Sequence, residues 1–279
     1  MSALDTILNA ENLVYSYEDA PEPSLNGLTL SIPEGSRVAL MGENGSGKST
    51  FFLCCNGIFK PQKGRLAFRG VPFSYDRRSL LELRRQVGIV FQNPDVQLFS
   101  ASVYEDISFG LLNLGLSETE AAERVGRVME ELEITPFRDR PVHALSGGQK
   151  KQVSLAGILV MEPALLILDE PFASLDARHK ERMKQQIYRL SDSGRTVLTA
   201  THDPDFALEW ADRVILLKKG RTLAQGEAAA ILSSRRLLEE AGLPAPSVLP
   251  LFETLKRKGI LAEHLPLPRS LAALERCLH

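Results

Sequence analysis

Cysteine is scarce in this 279-residue chain. Only Cys54, Cys55 and Cys277 occur, and an odd count with two neighbours argues against a disulfide framework and fits a reducing compartment. The adjacent pair reads as two small buried hydrophobes in a helix rather than as metal ligands. Histidine is thin as well: His143, His179, His202, His264 and His279 lie too far apart for the helical or turn spacing of metal sites. If the protein helps to move a metal, this chain is not expected to bind it. No apolar run approaches the roughly 18 residues of a membrane-crossing helix. The start, MSALDTILNA, has no basic region or cleavage signal, so no secretion is expected. Nor does one sign of charge prevail: the formal net charge is -2, which supplies no strong field for nucleic acid or an anionic membrane. What is present is ordinary for a globular protein, with 44% hydrophobic and 24% charged residues. The length allows one large α/β domain with a small appendage, or two modest domains.

Hydrophobic periodicity divides the chain into alternating elements. Ile7 to Tyr17, Leu28 to Ile32 and Arg37 to Met41 read as strands, and Ser49 to Asn56 as a helix that begins directly after glycines. Val87 to Phe91 is a short apolar strand. Val103 to Leu114 and Glu118 to Leu132 have helical spacing, with Ser117 as an N-cap for the second. Gly148 to Met161 is a helix that ends before Pro163, Leu165 to Leu168 is an apolar strand, and Ala177 to Leu190 is a helix. Thr196 to Thr201 and Val214 to Leu217 are further strands. This alternation predicts an α/β fold with a mostly parallel sheet and a helical insertion between about Asn93 and Met161. Five prolines then crowd the tail, from Pro244 to Pro268, with helical stretches at Arg235 to Ala241 and Val248 to Lys258. A small appendage is expected there.

Three segments carry chemistry. Gly42-Glu43-Asn44-Gly45-Ser46-Gly47-Lys48-Ser49-Thr50 fits the G-x-x-x-x-G-K-[ST] phosphate loop, after a strand and before a helix. Glycines let the backbone amides face one centre, and the helix amino terminus adds partial positive charge. Lys48 is expected to reach the β- and γ-phosphates, Ser49 to bind Mg²⁺, and Thr50 to donate to the α-phosphate. A Gly-rich turn of an unrelated protein is the competing reading, and the flanking strand and helix count against it. The second segment, Leu165-Leu166-Ile167-Leu168-Asp169-Glu170, delivers two carboxylates at the C-terminal end of a buried strand. Asp169 is placed to hold Mg²⁺ and Glu170 to polarise the attacking water. Alone such a run is common; beside a phosphate loop it indicates a nucleoside triphosphatase. The third, Leu145-Ser146-Gly147-Gly148-Gln149, opens a helix. It reads as a plain N-cap, and equally as a second anion site made of bare amides and a helix dipole. One chain cannot easily fold two such sites onto one γ-phosphate, so a partner chain is the economical solution.

The order of these motifs resembles the nucleotide-binding domains of the ATP-binding-cassette (ABC) family over roughly residues 5 to 232. The resemblance implies a P-loop NTPase (RecA-like) core with an N-terminal antiparallel β subdomain, the helical insertion, and a mainly α C-terminal extension. It implies a cassette over residues 1–232 with its helical part about 93–162, and an extension over 233–279 linked to dimer contacts. Tyr17 matches the aromatic that stacks on adenine, with Tyr15 as a rival two residues away. Gln92 matches the Q-loop glutamine, a Mg²⁺ contact and catalytic residue, and Ser174-Leu175-Asp176 the D-loop. His202 matches the switch histidine, although Thr201-His202-Asp203-Pro204 also reads as a capped helix start.

In this family two cassettes sandwich two ATP molecules head to tail. One chain would contribute Lys48, Ser49, Gln92, Asp169, Glu170 and His202, with Gly42, Asn44, Gly45, Ser46, Gly47 and Thr50 around the phosphates. A second copy would contribute Ser146, Gly147, Gly148 and Gln149, and Asp176 would link the sites. A narrower resemblance, over Val90 to Phe99, Val103 to Ile107, Leu155-Ala156-Gly157 and Trp210 to Val214, is to energy-coupling-factor importers, above all the ATP-binding subunits for cobalt and nickel. Phe172-Ala173-Ser174 departs from the usual Thr-Ala-Gly without touching a catalytic residue. That resemblance implies ATP and Mg²⁺ as ligands, membrane coupling and substrate-binding subunits as partners, a peripheral place on the cytoplasmic face of the membrane, and no nucleic acid. Gln92 to Phe99 would border the groove for a coupling helix. A vitamin importer would use nearly the same ATPase. A soluble cassette of repair or translation would carry a coiled-coil insertion or a second cassette, and neither is seen here.

Overall fold

The computed structural model of the chain describes residues 6–262 and 264–278. The readings drawn from Met1 to Asp5 and from His279 lie outside them. The described residues belong to two compact units, Met1–Phe73 with Leu198–His279, and Ser74–Val197.

In the first unit, β1 (Thr6–Tyr15), β2 (Leu25–Pro33), β4 (Lys63–Phe68) and β5 (Val71–Pro72) form an antiparallel sheet in the order β2-β1-β4-β5. Alternation buries Leu25, Leu28, Leu30 and Ile32 of β2 together with Ile7, Leu8, Ala10 and Leu13 of β1. The expected antiparallel subdomain is therefore present. Its first strand ends at Tyr15, so Tyr17 lies in the segment beyond it.

A second sheet of this unit runs β10-β9-β3-β8, made of β3 (Arg37–Met41), β8 (Thr196–Ala200, which begins in the other unit), β9 (Arg213–Lys218) and β10 (Arg221–Glu227). β3 and β9 are parallel and buried along almost their whole length, as a sheet covered on both faces requires. Helix α1 (Lys48–Cys55) follows β3, and α7 (Pro204–Trp210) follows β8. Trp210, the one tryptophan, is fully buried with its ring stacked on Phe206 at 5.3 Å. The tail adds α8 (Ala228–Leu232), α9 (Arg235–Glu240), α10 (Val248–Arg257) and α11 (Leu271–Arg276). It is tied into the unit by Ser247, whose amide and hydroxyl both donate to Asp205 at 2.7 Å, and by the buried Leu238, Val248, Leu249 and Phe252.

The second unit holds α2 (Arg77–Gln86), the parallel pair β6 (Val87–Val90) and β7 (Leu165–Asp169), and helices α3 (Val103–Asn113), α4 (Glu118–Glu131), α5 (Gly147–Leu159) and α6 (Ala177–Asp192). The helical insertion expected from about Asn93 comprises α3, α4, α5 and three short 3-10 turns. Ser117 caps α4 through a reciprocal box with Glu120, satisfying two helix-end amides. Ala121, Val125 and Met129 are its buried face. Among the described residues no helix is long and apolar enough to cross a membrane.

Candidate functional site: two nucleotide-binding elements

The loop from β3 to α1 is shaped by left-handed glycines: Gly42, Gly45 and Gly47 have φ of 148, 78 and 105°. A Cβ on Gly42 would strike the Leu217 carbonyl, and one on Gly47 would sit 2.7 Å from the Ser24 carbonyl. No side chain caps α1 and its first turn holds no acid, so its leading amides are available to an anion. Lys48 is 8% exposed, and its ammonium donates back to the carbonyls of Gly42 at 2.7 Å and Glu43 at 3.1 Å. That curls the loop around its own lysine and keeps the charge at the loop's centre. Ser49, the next residue, is exposed. Ser46 Oγ is buried and has no hydrogen-bond partner among the described residues, a polar atom that an incoming oxygen would satisfy.

Thr50 follows in α1. Its hydroxyl is hydrogen-bonded to Ser24 Oγ at 2.8 Å and Tyr17 OH at 3.1 Å. The hydroxyl network thus anchors Tyr17 on the phosphate loop. Tyr15 stacks flat on Phe59, with centroids 4.6 Å apart. Tyr17 meets both rings edge-on and remains 43% exposed. Of the two rivals, Tyr17 is the ring with a face to offer.

In the other unit every residue of β7 is buried, and Asp169 at its end is 6% exposed. Glu170 follows with φ 46°, a left-handed conformation that a non-glycine residue rarely adopts. The strand therefore turns sharply at the carboxylate, as happens where a side chain must be aimed. Gln92 is exposed in the segment after β6. His202, in the first unit, is exposed between β8 and α7, and the cap of α7 is Asp203, which accepts from Phe206 N at 3.0 Å.

A family model described as ABC transporter matches residues 25–173. The chain is 44% identical over 268 residues to the cobalt import ATP-binding protein CbiO of Rhodobacter capsulatus, covering 96% of this chain and 95% of that one. Among solved structures, CbiO1 of Clostridium perfringens, part of the transporter complex cbiONQ, is 42% identical with a TM-score of 0.75, over 89% of this chain and 99% of that one. The ATP-binding cassette MJ0796, solved as a dimer in a post-hydrolysis state with ADP and Pi, is 27% identical with a TM-score of 0.72, over 79% of this chain and 98% of that one. The chain belongs to the ABC transporter family. It is an ABC-type ATPase with the P-loop NTPase fold.

The signature segment of the cassette shows its plain reading to be true. Ser146 Oγ accepts from Gln149 N at 3.3 Å and Gln149 Oε1 accepts from Ser146 N at 2.9 Å, a capping box at the start of α5. The side-chain carbonyl of Gln149 is thereby turned onto its own helix, while Ser146 and Gly147 are exposed. A Cβ on Gly148 would meet the His179 ring, which would have to shift. His179 Nδ1 lies 2.8 Å from Asp176, which also caps α6 by accepting from His179 N at 2.8 Å. The latter bond, then the side-chain bond, holds the Asp176 carboxyl below its usual range.

Three residues of the cassette's surroundings escaped the sequence reading. Ser24 is the first, through its bond to Thr50. Gln97 is the second: its side chain accepts from Phe91 N at 3.2 Å and donates to the Ser154 carbonyl at 3.2 Å, fastening the Q-loop to α5. Lys151 is the third, 4% exposed, with its ammonium 3.1 Å from the carbonyls of both Glu170 and Pro171. Desolvation pushes this lysine down from 10.5 to about 8 against the opposing pull of the Glu170 and Asp169 charges. An open pocket of about 320 Å³ lies beside it, flanked by Gln92, Asp95, Gly147, Lys150 and Ser174.

Cys54 and Cys55 are buried in α1 with their thiols pushed up, Cys54 to about 12, by burial. No cluster of three or more His, Cys, Asp or Glu residues suited to a metal occurs among the described residues.

Proposed function

We propose that the chain is the ATP-hydrolysing subunit of an energy-coupling-factor importer for Co²⁺, acting as a homodimer at the cytoplasmic face of the membrane. The observation that supports this most is the near full-length similarity to CbiO of Rhodobacter capsulatus, joined to the turn that aims Glu170 from the end of β7. The cargo would be handled by membrane coupling and substrate-binding subunits. Val96 and Phe99 are exposed, Phe99 by 65%, and Phe99 meets Phe109 edge to face at 4.8 Å. Such an apolar patch beside Gln92 suits a coupling helix. No role for nucleic acid is proposed. The extension 233–279 is assigned to dimer contact.

In this reading the phosphates lie over Gly42, Asn44, Gly45, Ser46, Gly47 and Thr50, with Lys48 neutralising the β- and γ-oxygens and Tyr17 stacking on adenine. Mg²⁺ is assigned to Ser49 of the first unit and to Gln92 and Asp169 of the second; a hydroxyl, an amide oxygen and a carboxylate are hard-oxygen ligands of the kind that suit the ion. When bound, the ion would neutralise charge that develops on the β- and γ-phosphate oxygens. Glu170 accepts a proton from the attacking water, and His202 holds that water and the γ-phosphate. Ser146, Gly147, Gly148 and Gln149 of a second copy close the site, and Asp176 connects it to the other. Phosphoryl transfer requires mostly positioning and charge stabilisation, which these groups supply.

The test is Glu170→Gln. It should bind ATP, lose about 10²- to 10⁴-fold in turnover, and accumulate as an ATP-bound dimer on size-exclusion chromatography. Near-normal turnover would remove Glu170 from the mechanism. For the cargo, the complex purified with its membrane partners and placed in vesicles should take up Co²⁺ on addition of ATP. Uptake of Ni²⁺ or a vitamin in its place would keep the ATPase and replace the cargo.

A further inference from the structure

Lys151 is a charged side chain with almost no contact with water and with a task that the motifs do not account for. It stands at the fifth position of α5, the helix that Ser146 and Gly147 open. Its ammonium reaches across to β7's end and donates to two successive carbonyls, Glu170 and Pro171, at 3.1 Å each. Between those carbonyls and the strand lies the one residue whose backbone must stay left-handed, Glu170 at φ 46°. A non-glycine residue rarely adopts that region, and it persists only where surrounding contacts hold it. Glu170 is only half-buried. A buried ammonium would itself be expensive without acceptors, and these two carbonyls are the acceptors recorded for it.

We propose that Lys151 is a positioning residue for Glu170, fixing the turn that aims its carboxylate and tying that turn to the signature helix α5. The proposal rests on the assignment of Glu170 as general base. A consequence concerns the two ATP sites of a dimer. In the proposed dimer, the helix whose first turn would close over the partner's nucleotide is bonded through Lys151 to the backbone of the residue assigned as base for its own. A displacement of α5 at one site is therefore transmitted to the carboxylate at the other.

The experiment uses the full chain and four variants: Lys151→Met, which keeps the length and removes the donors, Lys151→Arg, which keeps donors, Glu170→Gln, and the double variant Lys151→Met/Glu170→Gln. Steady-state ATPase, nucleotide titration and thermal unfolding are measured for each. Lys151→Met should lower kcat by about 10- to 100-fold, the usual consequence of misplacing a catalytic group by about 1 Å. Its KM and ATP affinity should stay within about twofold, because the phosphate loop is untouched. Lys151→Arg should restore most of kcat. In the Glu170→Gln background the methionine should cost no further activity, since groups that act through one another are non-additive. Additive losses, or a fall in ATP affinity parallel to kcat, would make Lys151 a merely structural residue and overturn the proposal. If Lys151→Met fails to fold, the comparison of Lys151→Arg with Lys151→Gln decides in the same way. An active Glu170→Gln would overturn the assignment of the base itself, a separate and distinguishable outcome.

Discussion

The charge on Lys151 is measurable apart from catalysis. The folded chain holds this ammonium at about 8 against 10.5 for a free lysine, with desolvation as the main cause. The sign follows from proton binding. Below about pH 8 both folded and unfolded chains carry the proton, and the folded state bears the full cost of burying it. Between about 8 and 10.5 the folded chain has released the proton while the unfolded chain retains it, so unfolding takes up a proton and stability rises with pH. Above that range both are neutral and the cost is gone. At about 1.4 kcal/mol per pH unit the whole gain is about 3 kcal/mol, of which about 2 should appear between about pH 7 and pH 10. Lys151→Met removes the titrating group and leaves the rest of the chain's ionisations in place. The quantity to plot is thus the difference in unfolding free energy between wild type and Lys151→Met, from guanidinium titrations over that range. Trp210 belongs to the first unit and Lys151 to the second, so far-ultraviolet circular dichroism is the signal to follow. The difference should climb in favour of wild type as pH rises. The side-chain ¹³Cε resonance of Lys151 should show an inflection near 8. A flat difference, or an inflection at the ordinary lysine value, would refute the desolvated ammonium and weaken the reasoning from its burial.

The remaining predictions use the same logic of which group is held and which is free. Tyr17→Ala should weaken ATP binding by about 1 kcal/mol or more, the worth of one base–aromatic stack. Tyr17→Phe, which loses only the bond to Thr50, should cost less; equal losses in a nucleotide titration would take the ring out of the adenine contact. An aromatic disulfide reagent at neutral pH should titrate one thiol, Cys277, in the native chain and three after unfolding. Fast reaction of all three in the native state would contradict the raised thiols of Cys54 and Cys55.

Elements with a strong local signature were legible in the sequence, and their edges differ by a residue or two. Ser117 with Glu120, and Ser146 with Gln149, are self-contained capping boxes that need no distant partner. The buried runs of β3, β7 and β8 announce a covered sheet through composition alone. Several of the elements that went unread bury little. β4 opens with three exposed residues, β10 has no buried residue, and α2 keeps only Leu83 inside a run rich in arginine. Such edges are held by backbone pairing or by caps such as Asp76 rather than by an apolar face, so the hydrophobic pattern is weak there. Parity failed to separate Tyr15 from Tyr17 for a related reason. A strand through both was expected, whereas β1 ends at Tyr15, and the ring of Tyr15 is stacked on Phe59, far along the chain.

The candidate positions in the phosphate loop, in Ser146 to Gln149 and at the end of β7 were legible because each group is contiguous in the sequence. Ser24, Gln97 and Lys151 were missed because each acts through a bond to a residue distant in sequence. For Lys151 a signal did exist. It lies three and four residues before Ser154 and Leu155, and eight before Leu159, all buried positions of α5. Helical spacing therefore places a lysine on a face that water does not reach. A charge in such register must be matched by internal acceptors, since desolvation otherwise expels it. In a chain whose next buried strand ends in a forced turn at a carboxylate, the carbonyls of that turn are the acceptors with most to gain from being held. A lysine in step with a helix's apolar face is thus a reason to look for the backbone that it restrains.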